Sequence, residues 1–216
     1  NDTLTIDYDD GSVVQQASRN ITGSGADPAL LTISDGATYD FGVLAVNSSL
    51  DYTFTVDNIG GTPASSLVGL GLAAPFTFKD GSYPGTGGSC GASLNNGAQC
   101  TVVVTYAPTL TGSHSDSVQL DYNDGTAVTA SSNRAVQGVA TSPASISISE
   151  TNPYDFGSRA LGSTTEYSFT LSNTGGVTAT TISGTGLAAP FNFKDGAYPG
   201  TGATCGLTLN NGSNCT

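Results

Sequence analysis

The chain has 216 residues, with 17 acidic and five basic side chains and a formal net charge of −12 at pH 7. So few basic residues cannot form a surface that neutralises phosphates, which excludes nucleic acid as a partner, and an anionic membrane surface would repel the chain. No run approaches the roughly 20 apolar residues of a membrane span. The sequence has no initiator Met or signal peptide, so we expect an already processed segment.

The predicted elements are short strands separated by Gly, Asn and Asp turns. Residues 4–8 alternate apolar and polar side chains, as in a strand with one buried face, and Asp10-Gly11 turns them into residues 12–16, which predicts a hairpin. Further strands are predicted at residues 31–34, 39–41, 50–57, 76–78, 100–106, 118–122 and 127–138.

The alternation is clearest in residues 50–57, where Tyr52, Phe54 and Val56 are expected to face inward. The same pattern recurs with Tyr167, Phe169 and Leu171. No apolar period of 3.6 residues persists beyond one turn. About seven short strands per 100 residues are typical of an immunoglobulin-like β-sandwich.

One stretch of the chain occurs twice. Residues 71–101 and 186–216 are nearly the same sequence at a spacing of 115 residues, and residues 19–101 align with 134–216 without a gap. A period of this length is typical of a whole domain rather than of a short solenoid repeat. The sequence therefore predicts an all-β protein made of tandem immunoglobulin-like antiparallel β-sandwich domains with a repeat period of 115 residues.

The predicted domain boundaries fall at two equivalent prolines, Pro28 and Pro143, which stiffen the links between domains. Residues 1–28 are predicted to be the closing strands of one repeat, 29–143 a complete repeat and 144–216 the first part of another. Residues 4–11 support this division because they match residues 118–125, one residue out of register with the rest.

We therefore expect both ends of the chain to fall inside domains. In one interpretation, the chain is a piece of a longer tandem array. In the other, residues 1–28 complete the 144–216 domain of a neighbouring molecule by strand addition, which gives a head-to-tail polymer. This tail supplies the equivalent of residues 116–143 but not of the strand 102–106.

The four cysteines form two equivalent pairs, Cys90 with Cys100 and Cys205 with Cys215, each with an Asn-Asn-Gly sequence between its members. A hairpin with Asn-Gly at its tip would place the two cysteines opposite each other. Zinc is disfavoured because the spacing is not that of a Cys-x-x-Cys knuckle and His114 is the only histidine. We expect two disulfides and hence an oxidising compartment, with free buried thiols as the alternative.

The motifs resemble the bacterial "choice-of-anchor D" repeat, within the wider group of ASH/Hydin-type Ig-like domains. The matching positions in the first copy are Pro28, Ala29, Phe41, Gly42, residues 58–61, Cys90, Leu94, Gly97, Cys100, Tyr106, Pro108 and Gly112. Those in the second copy are Pro143, Ala144, Phe156, Gly157, residues 173–176, Cys205, Leu209, Gly212 and Cys215. The resemblance implies large secreted bacterial surface proteins that act as stalks, fibres or adhesins, and it brings no catalytic residues with it. The second copy departs from the pattern because it stops just after Cys215.

Three further features of the sequence could carry chemistry: a histidine, a Gly-rich loop and a recurring lysine. A Ser/His/Asp triad would need His114, which we expect to be an exposed histidine in a turn. Residues 83–88 are rich in Gly but neither precede a helix nor contain the following Lys, so a surface loop is favoured over a phosphate loop. Lys79 and Lys194 recur before Asp-Gly, where a turn lysine is favoured over a buried isopeptide lysine.

The acidic clusters are the remaining site candidates. Weak calcium candidates lie around two turns: Asp7, Asp9, Asp10, Asp121 and Asp124. Asp-Gly turn chemistry alone explains these residues, and Asn123 replaces Asp9 in the second copy. No metal or other cofactor is therefore expected.

The favoured function is a non-catalytic extracellular structural protein, an Ig-like subunit of a bacterial surface stalk or filament whose partners are further repeats or copies of itself. The alternative is an adhesin module that binds a glycan or a protein through exposed loops. The 82–89 loop discriminates between the two, and its near-identity in both copies favours repeated packing over recognition. Sequons at Asn20 and Asn47 permit glycosylation.

Overall fold

The computed structural model describes residues 1–126 and 129–216. These residues form fourteen strands and two three-residue 3₁₀ turns, with no α-helix among them. The strands are β1 (Asp2–Asp9), β2 (Val14–Ile21), β3 (Leu31–Ile33), β4 (Thr38–Ala45), β5 (Leu50–Asn58), β6 (Ala64–Leu70), β7 (Phe76–Phe78), β8 (Ser93–Leu94), β9 (Gln99–Tyr106), β10 (Gly112–Asn123), β11 (Thr129–Thr141), β12 (Ile146–Ile148), β13 (Leu171–Asn173) and β14 (Asn214–Cys215).

The complete repeat is an Ig-like sandwich of two sheets. One sheet has the order β4-β11-β10-β6-β8 and the other β3-β5-β9-β7. All pairs are antiparallel except β4 with β11, which run in the same direction. The all-β, Ig-like prediction is thus confirmed, with β4 and β11 as a parallel pair among the antiparallel pairs of the sandwich. Because the two strands run in the same direction, their first residues lie at the same end of the sheet.

The core lies between these sheets and is built largely from aromatic rings and valines. Phe54, Val56, Phe76 and Tyr106 are fully buried, and the rings of Phe76 and Tyr106 stack with their centroids 4.7 Å apart. Tyr52 is only partly buried and stacks on Tyr39 at 3.8 Å. The inward face predicted for residues 50–57 is therefore correct. Burial of each large apolar side chain stabilises the fold by about 1.5–3 kcal/mol.

Strand β6 is the longest of the described strands that the sequence analysis missed. It pairs with both β10 and β8 and carries the buried residues Ala64 and Leu67. Its Gly69 lies against the rings of Tyr83 and Phe78, and a Cβ there would lie 2.6 Å from Phe78 Cζ. Small residues and glycine hide the strand from an apolar periodicity analysis, although the glycine is what allows the two rings to approach the sheet.

Strands β1 and β2 form a separate hairpin, as predicted. Leu4 lies opposite Arg19, and in the complete repeat Val118 lies opposite Arg134 in the same way. The one-residue offset between the copies arises in the connection between the strands, where the last pair is Asp9 with Val14 in one hairpin and Asn123 with Thr129 in the other. Residues 127 and 128, the start of one predicted strand, lie outside the described residues.

The two hairpins differ in burial. Leu4, Ile6 and Tyr8 are 54%, 54% and 51% exposed, whereas their counterparts in β10 are buried against the other sheet. The buried face predicted for residues 4–8 is therefore uncovered in the described chain.

Residues 144–216 form the small sheet β12-β13-β14 and an isolated bridge between Ala179 and Leu209. The strand predicted around Tyr167 and Phe169 is wrong, since only Leu171–Asn173 is a strand there. In the complete repeat β5 pairs with β9 over eight residues, but here β13 pairs with β14 over only two. Without a longer partner strand, the backbone around Tyr167 has no ladder to join.

Both expected disulfides form, with Cα–Cα distances of 4.8 Å for Cys90–Cys100 and 4.9 Å for Cys205–Cys215. The hairpin expected around them is wrong. Cys90 precedes β8, which pairs with β6 in the opposite sheet rather than with β9. The Cys90 N–H donates to the Thr101 carbonyl at 3.1 Å, so the disulfide closes a loop that crosses between the two sheets.

Replacing both Cys90 and Cys100 with Ser is expected to lower the free energy of unfolding of the complete repeat by about 3 kcal/mol, because the short loop is no longer closed in the unfolded chain. This corresponds to a fall in Tm of roughly 10 °C at unchanged β content. Thermal unfolding followed by far-UV circular dichroism under non-reducing conditions measures it, with the exposed Ser82→Ala as the control. An unchanged Tm would contradict a stabilising role for the disulfide.

Candidate functional site: the linker clamps

The junctions between repeats carry a constellation that is built twice with the same hydrogen bonds. Each begins with a buried asparagine that ends a central strand, Asn58 in β5 and Asn173 in β13, and each is only 1% exposed. Each asparagine opens an Asn-x-Gly-Gly sequence, and each faces a Pro-Ala linker. We call residues 58–61 with 27–30 the first linker clamp, and residues 173–176 with 142–145 the second linker clamp.

In the first linker clamp, the amide of Asn58 makes four hydrogen bonds to backbone. Its Oδ1 accepts from Leu30 N at 3.2 Å and from Gly60 N at 3.1 Å. Its Nδ2 donates to Thr62 O at 2.9 Å and to Leu94 O at 3.0 Å. The side chain thus uses its full capacity of two donors and two acceptor sites. It ties the incoming linker to β5, to the following turn and to β8.

The second linker clamp repeats this arrangement. Asn173 Oδ1 accepts from Ser145 N at 3.1 Å and from Gly175 N at 3.0 Å. Its Nδ2 donates to Val177 O at 2.9 Å and to Leu209 O at 3.0 Å. All partners are backbone groups, so the residue types around the asparagine can change between the copies while the hydrogen bonds remain.

The glycines of both clamps lie against the linker backbone. A Cβ on Gly60 would overlap the Pro28 carbonyl oxygen and lie 2.5 Å from Leu30 N. A Cβ on Gly175 would overlap the Pro143 carbonyl oxygen in the same way. The linker is thus pressed onto the strand end at a distance that only glycine permits.

Further backbone hydrogen bonds close the first linker clamp. The Ile59 N–H donates to the Leu30 carbonyl at 2.9 Å, and the Ala29 N–H donates to the Asp124 carbonyl at 2.8 Å. The Thr62 hydroxyl donates to the same Asp124 carbonyl at 3.0 Å. The β10–β11 turn therefore takes part in the clamp, and the linker is held on two sides.

The sequence analysis interpreted Asn58 only as a turn residue and did not find the clamp. The available signal was the recurrence of Asn-x-Gly-Gly at the same offset with the second residue changed from Ile59 to Thr174. That an asparagine side chain would be buried and satisfied by four backbone groups depends on contacts distant in sequence, such as the one to Leu94.

The acidic residues considered for calcium are used in turns and cross-strand hydrogen bonds. Asp10 Oδ1 accepts from the backbone N–H groups of Val13 at 2.9 Å and Ser12 at 2.8 Å, and these bonds lower the pKa of Asp10. Asp9 accepts from Gly11 N, and Asp7 from Gln16. These contacts satisfy the carboxylates locally.

The second acidic cluster is arranged similarly. Hydrogen bonds from Ser131 and Gln119 lower the pKa of Asp121, and those from the Thr126 hydroxyl and N–H lower the pKa of Asp124. Among residues 1–126 and 129–216, no group of three or more His, Cys, Asp or Glu side chains is arranged to hold a metal ion.

His114 does not lie in a turn, and that prediction is wrong. It lies on β10, half-buried, with its Nδ1 2.9 Å from the hydroxyl of Tyr106. A shallow cavity of about 220 Å³ beside it is lined by Asp40, Ser113, His114, Ser115, Gln137, Gly138 and Val139. The Asp40 carboxylate there accepts from Gln137 and from the Gly42 N–H, which lower its pKa. The histidine is thus engaged with the buried end of Tyr106.

The Gly-rich loop 83–88 is packed rather than open to a ligand. Its Gly85 and Gly88 N–H groups donate to Ser82 O and Gly85 O, and Pro84 O accepts from Val103 N at 2.8 Å. Burial raises the pKa of Tyr83 to about 12. These N–H groups are therefore already hydrogen-bonded within the protein and are not available to bind a phosphate.

The two candidate lysines form equivalent ion pairs. Lys79 Nζ lies 2.8 Å from Asp51, and Lys194 Nζ lies 2.9 Å from Glu166. The hydrogen bond to its carboxylate partner raises the pKa of each lysine. Both pairs lie at the surface, which disfavours a buried isopeptide lysine. In the described part of the chain, no helix is long and apolar enough to cross a membrane.

The sequence of the complete repeat matches the model of one known protein family. Residues 32–134, just under half of the chain, match the family model of the HYDIN/CFA65/VesB-like, Ig-like domain. No curated protein matches the chain in sequence. The complete repeat is thus similar to Hydin-type Ig-like domains, and the match does not extend to the choice-of-anchor D subgroup.

Three solved structures are similar to the chain at low sequence identity. PapD-like domain 7 of human CEP192, an ASH/PapD-like domain, is 12% identical with a TM-score of 0.40, covering 58% of this chain and 93% of that chain. A protein of unknown function from Porphyromonas gingivalis W83 is 12% identical with a TM-score of 0.40, covering 64% of each chain. The VesB protease of Vibrio cholerae is 13% identical with a TM-score of 0.37, covering 52% of this chain and 32% of that one. Similarity this low carries no argument about activity.

Replacing Asn58 with Ala is expected to lower the free energy of unfolding of the complete repeat by about 3 kcal/mol, because four backbone groups at a buried site lose their partner. Asn58→Asp should be at least as harmful, since a carboxylate cannot donate to Thr62 O and Leu94 O. Chemical denaturation measures both. Asn96→Ala, an exposed asparagine of the same domain, is the control and should change the free energy by less than about 0.5 kcal/mol. Equal values for Asn58→Ala and Asn96→Ala would refute the clamp.

Proposed function

We propose, from the Hydin-type Ig-like character of the complete repeat, that the chain is a non-catalytic structural segment of an extracellular bacterial stalk or filament related to choice-of-anchor D repeats. The observation that carries this proposal is the linker clamp, built twice with the same hydrogen bonds. A clamp on each linker limits how far successive domains can swing, which is what a stalk requires and a flexible string of binding domains does not.

The distribution of charge and disulfides supports an extracellular role. Residues 29–143 and residues 144–216 each contain one disulfide, a bond that persists in oxidising compartments. The net charge of −12 keeps such chains apart from nucleic acid and anionic lipid. The packed loop 83–88 supports the structural role over the adhesin alternative, because the N–H groups of Gly85, Thr86 and Gly88 and the ring of Tyr83 are engaged within the domain.

The stiffness of the second junction tests this function. Spin labels at the exposed positions Thr77 and Thr208, introduced without cysteine, report the distance between the complete repeat and residues 144–216. We expect one narrow distance distribution for the native chain and a broad one for Asn173→Ala, because the linker at Ser145 loses its anchor. Asn211→Ala, which is exposed, is the control and should leave the distribution narrow.

Near-UV circular dichroism of the same samples separates loosening of the junction from unfolding of residues 144–216. A native distribution as broad as that of the folded Asn173→Ala variant would contradict a stiff stalk.

We further propose that the β1–β2 hairpin is the closing hairpin of an Ig-like repeat, covered by the remainder of a repeat from the same tandem chain or from a neighbouring molecule by strand complementation. The match of Leu4 and Arg19 to the register of Val118 and Arg134 supports this. So does the apolar face with Ile6, which is more than half exposed.

Strand complementation by a neighbouring molecule predicts that the 216-residue chain self-associates above its monomer mass of 21.5 kDa. Ile6→Lys should abolish the association because a charge would enter the covered face, whereas Thr5→Lys on the opposite face should not. Light scattering with size-exclusion chromatography measures this. A native chain that stays monomeric would contradict strand complementation by a neighbouring molecule and favour the tandem array.

A further inference from the structure

The two linkers of the complete repeat lie at opposite ends of its long last strand. The incoming linker is bonded at Ala29 to Asp124, in the turn that precedes β11, and the outgoing linker follows Thr141 at the end of β11. Thirteen residues at about 3.3 Å each separate these ends by roughly 40 Å. Tension applied through the linkers therefore acts along the strands.

The parallel pair of β4 and β11 lies along this line of tension. It runs from Thr38 opposite Ala135 to Ala45 opposite Thr141, with one register shift between Gln137 and Val139. Tension from the incoming linker draws β4 toward its first residue, and tension from the outgoing linker draws β11 toward its last. In a parallel pair these two ends are opposite, so the backbone hydrogen bonds are loaded together, in shear, instead of one after another.

Other contacts tie the incoming segment to β11 and to its neighbour β10. The guanidinium of Arg134 in β11 donates to the Ile33 carbonyl in β3, and the Tyr122 hydroxyl in β10 accepts from Leu31 N at 3.1 Å. The Val46 N–H donates to the Thr141 carbonyl at 2.9 Å and closes the far end of the pair. The short ladder of β3 with β5 is loaded along its length as well. Tension must break these contacts before the core is exposed.

We propose that the complete repeat bears tensile load, and that the parallel β4–β11 pair is the element that resists it. This inference rests on the tandem structural role proposed above. The disulfide adds a limit on extension, because residues 91–99 lie inside the Cys90–Cys100 loop and cannot be pulled out. The loop shortens the unfolded repeat by roughly 30 Å.

Single-molecule force spectroscopy on the 216-residue chain, held at its two ends, tests the load path. The complete repeat is identified by its gain in contour length, roughly 340 Å with the disulfide intact and about 30 Å more after reduction. A second attachment uses handles at Gly36 and Asn133, each two residues before a member of the first β4–β11 pair, Thr38 with Ala135, so that the same unmutated ladder is peeled from one end.

We expect the rupture force with end handles to be at least threefold higher than with the peeling handles, because shear loads all the hydrogen bonds of the pair at once. Equal forces in the two geometries would overturn the proposal. This comparison does not require any change in the ladder, so a failure to fold cannot obscure it.

A pair of variants at one position gives a second test. Val46 N faces β11, and alternate residues of a strand face the same neighbour, so Leu44 N faces β11 too. Leu44→Pro removes that donor, and Leu44→Ala loses most of the same packing but keeps the donor. With end handles, Leu44→Pro should halve the rupture force or lower it further, while Leu44→Ala stays within about a quarter of the native force.

Equal losses in the two Leu44 variants would overturn the assignment to the β4–β11 pair. The outcome is separable from that of the proposed function. A repeat that resists force while its junction with residues 144–216 shows a broad distance distribution would keep the load-bearing pair and reject the stiff stalk. A narrow distance distribution together with equal rupture forces in shear and in peeling would keep the stiff stalk and reject the load-bearing pair.

Discussion

The structure depends on a buried amide whose four hydrogen-bonding sites are all satisfied by backbone. Burying an amide without partners costs several kcal/mol, so the side chain of Asn58 is tolerated only because Leu30, Gly60, Thr62 and Leu94 complete it. The same requirement fixes the positions of these four segments relative to one another. The linker, the end of β5, the turn after it and β8 are thereby held as one unit.

This constraint explains why glycine and asparagine occur together at each junction. The amide draws the linker onto the strand end, and the glycines allow the linker backbone to come that close. A clamp of this kind also sets the direction in which tension enters the domain. Because Ala29 is bonded to the turn that precedes β11, the incoming chain starts at one end of the strands, and β11 leaves at the other. The stiffness of the junction and the alignment of the load with the strands therefore have a common origin.

The uncovered face of the β1–β2 hairpin illustrates how much of an Ig-like repeat depends on its partner sheet. Leu120 in the complete repeat is fully buried, whereas Ile6 at the equivalent position is 54% exposed with the same cross-strand register. The ladder of a hairpin forms from local pairing, but its burial comes from a sheet contributed by residues distant in sequence. The weak pairing of β13 in residues 144–216 follows the same rule.

The sequence by itself determined the class of fold, the alternating strand at residues 50–57, and the two disulfides. These depend on local information: the period-two pattern of Tyr52, Phe54 and Val56, and an interval between cysteines that a short loop can close. Only the tertiary structure decided the parallel pairing of β4 with β11, the passage of the Cys90–Cys100 loop between the sheets, the strand β6, and the place of His114 beside Tyr106. It alone also revealed the linker clamp, because the hydrogen bonds of Asn58 join residues up to 36 positions apart. A local pattern specifies which face of a strand is apolar, but which backbone groups meet across the fold is set by packing between sheets.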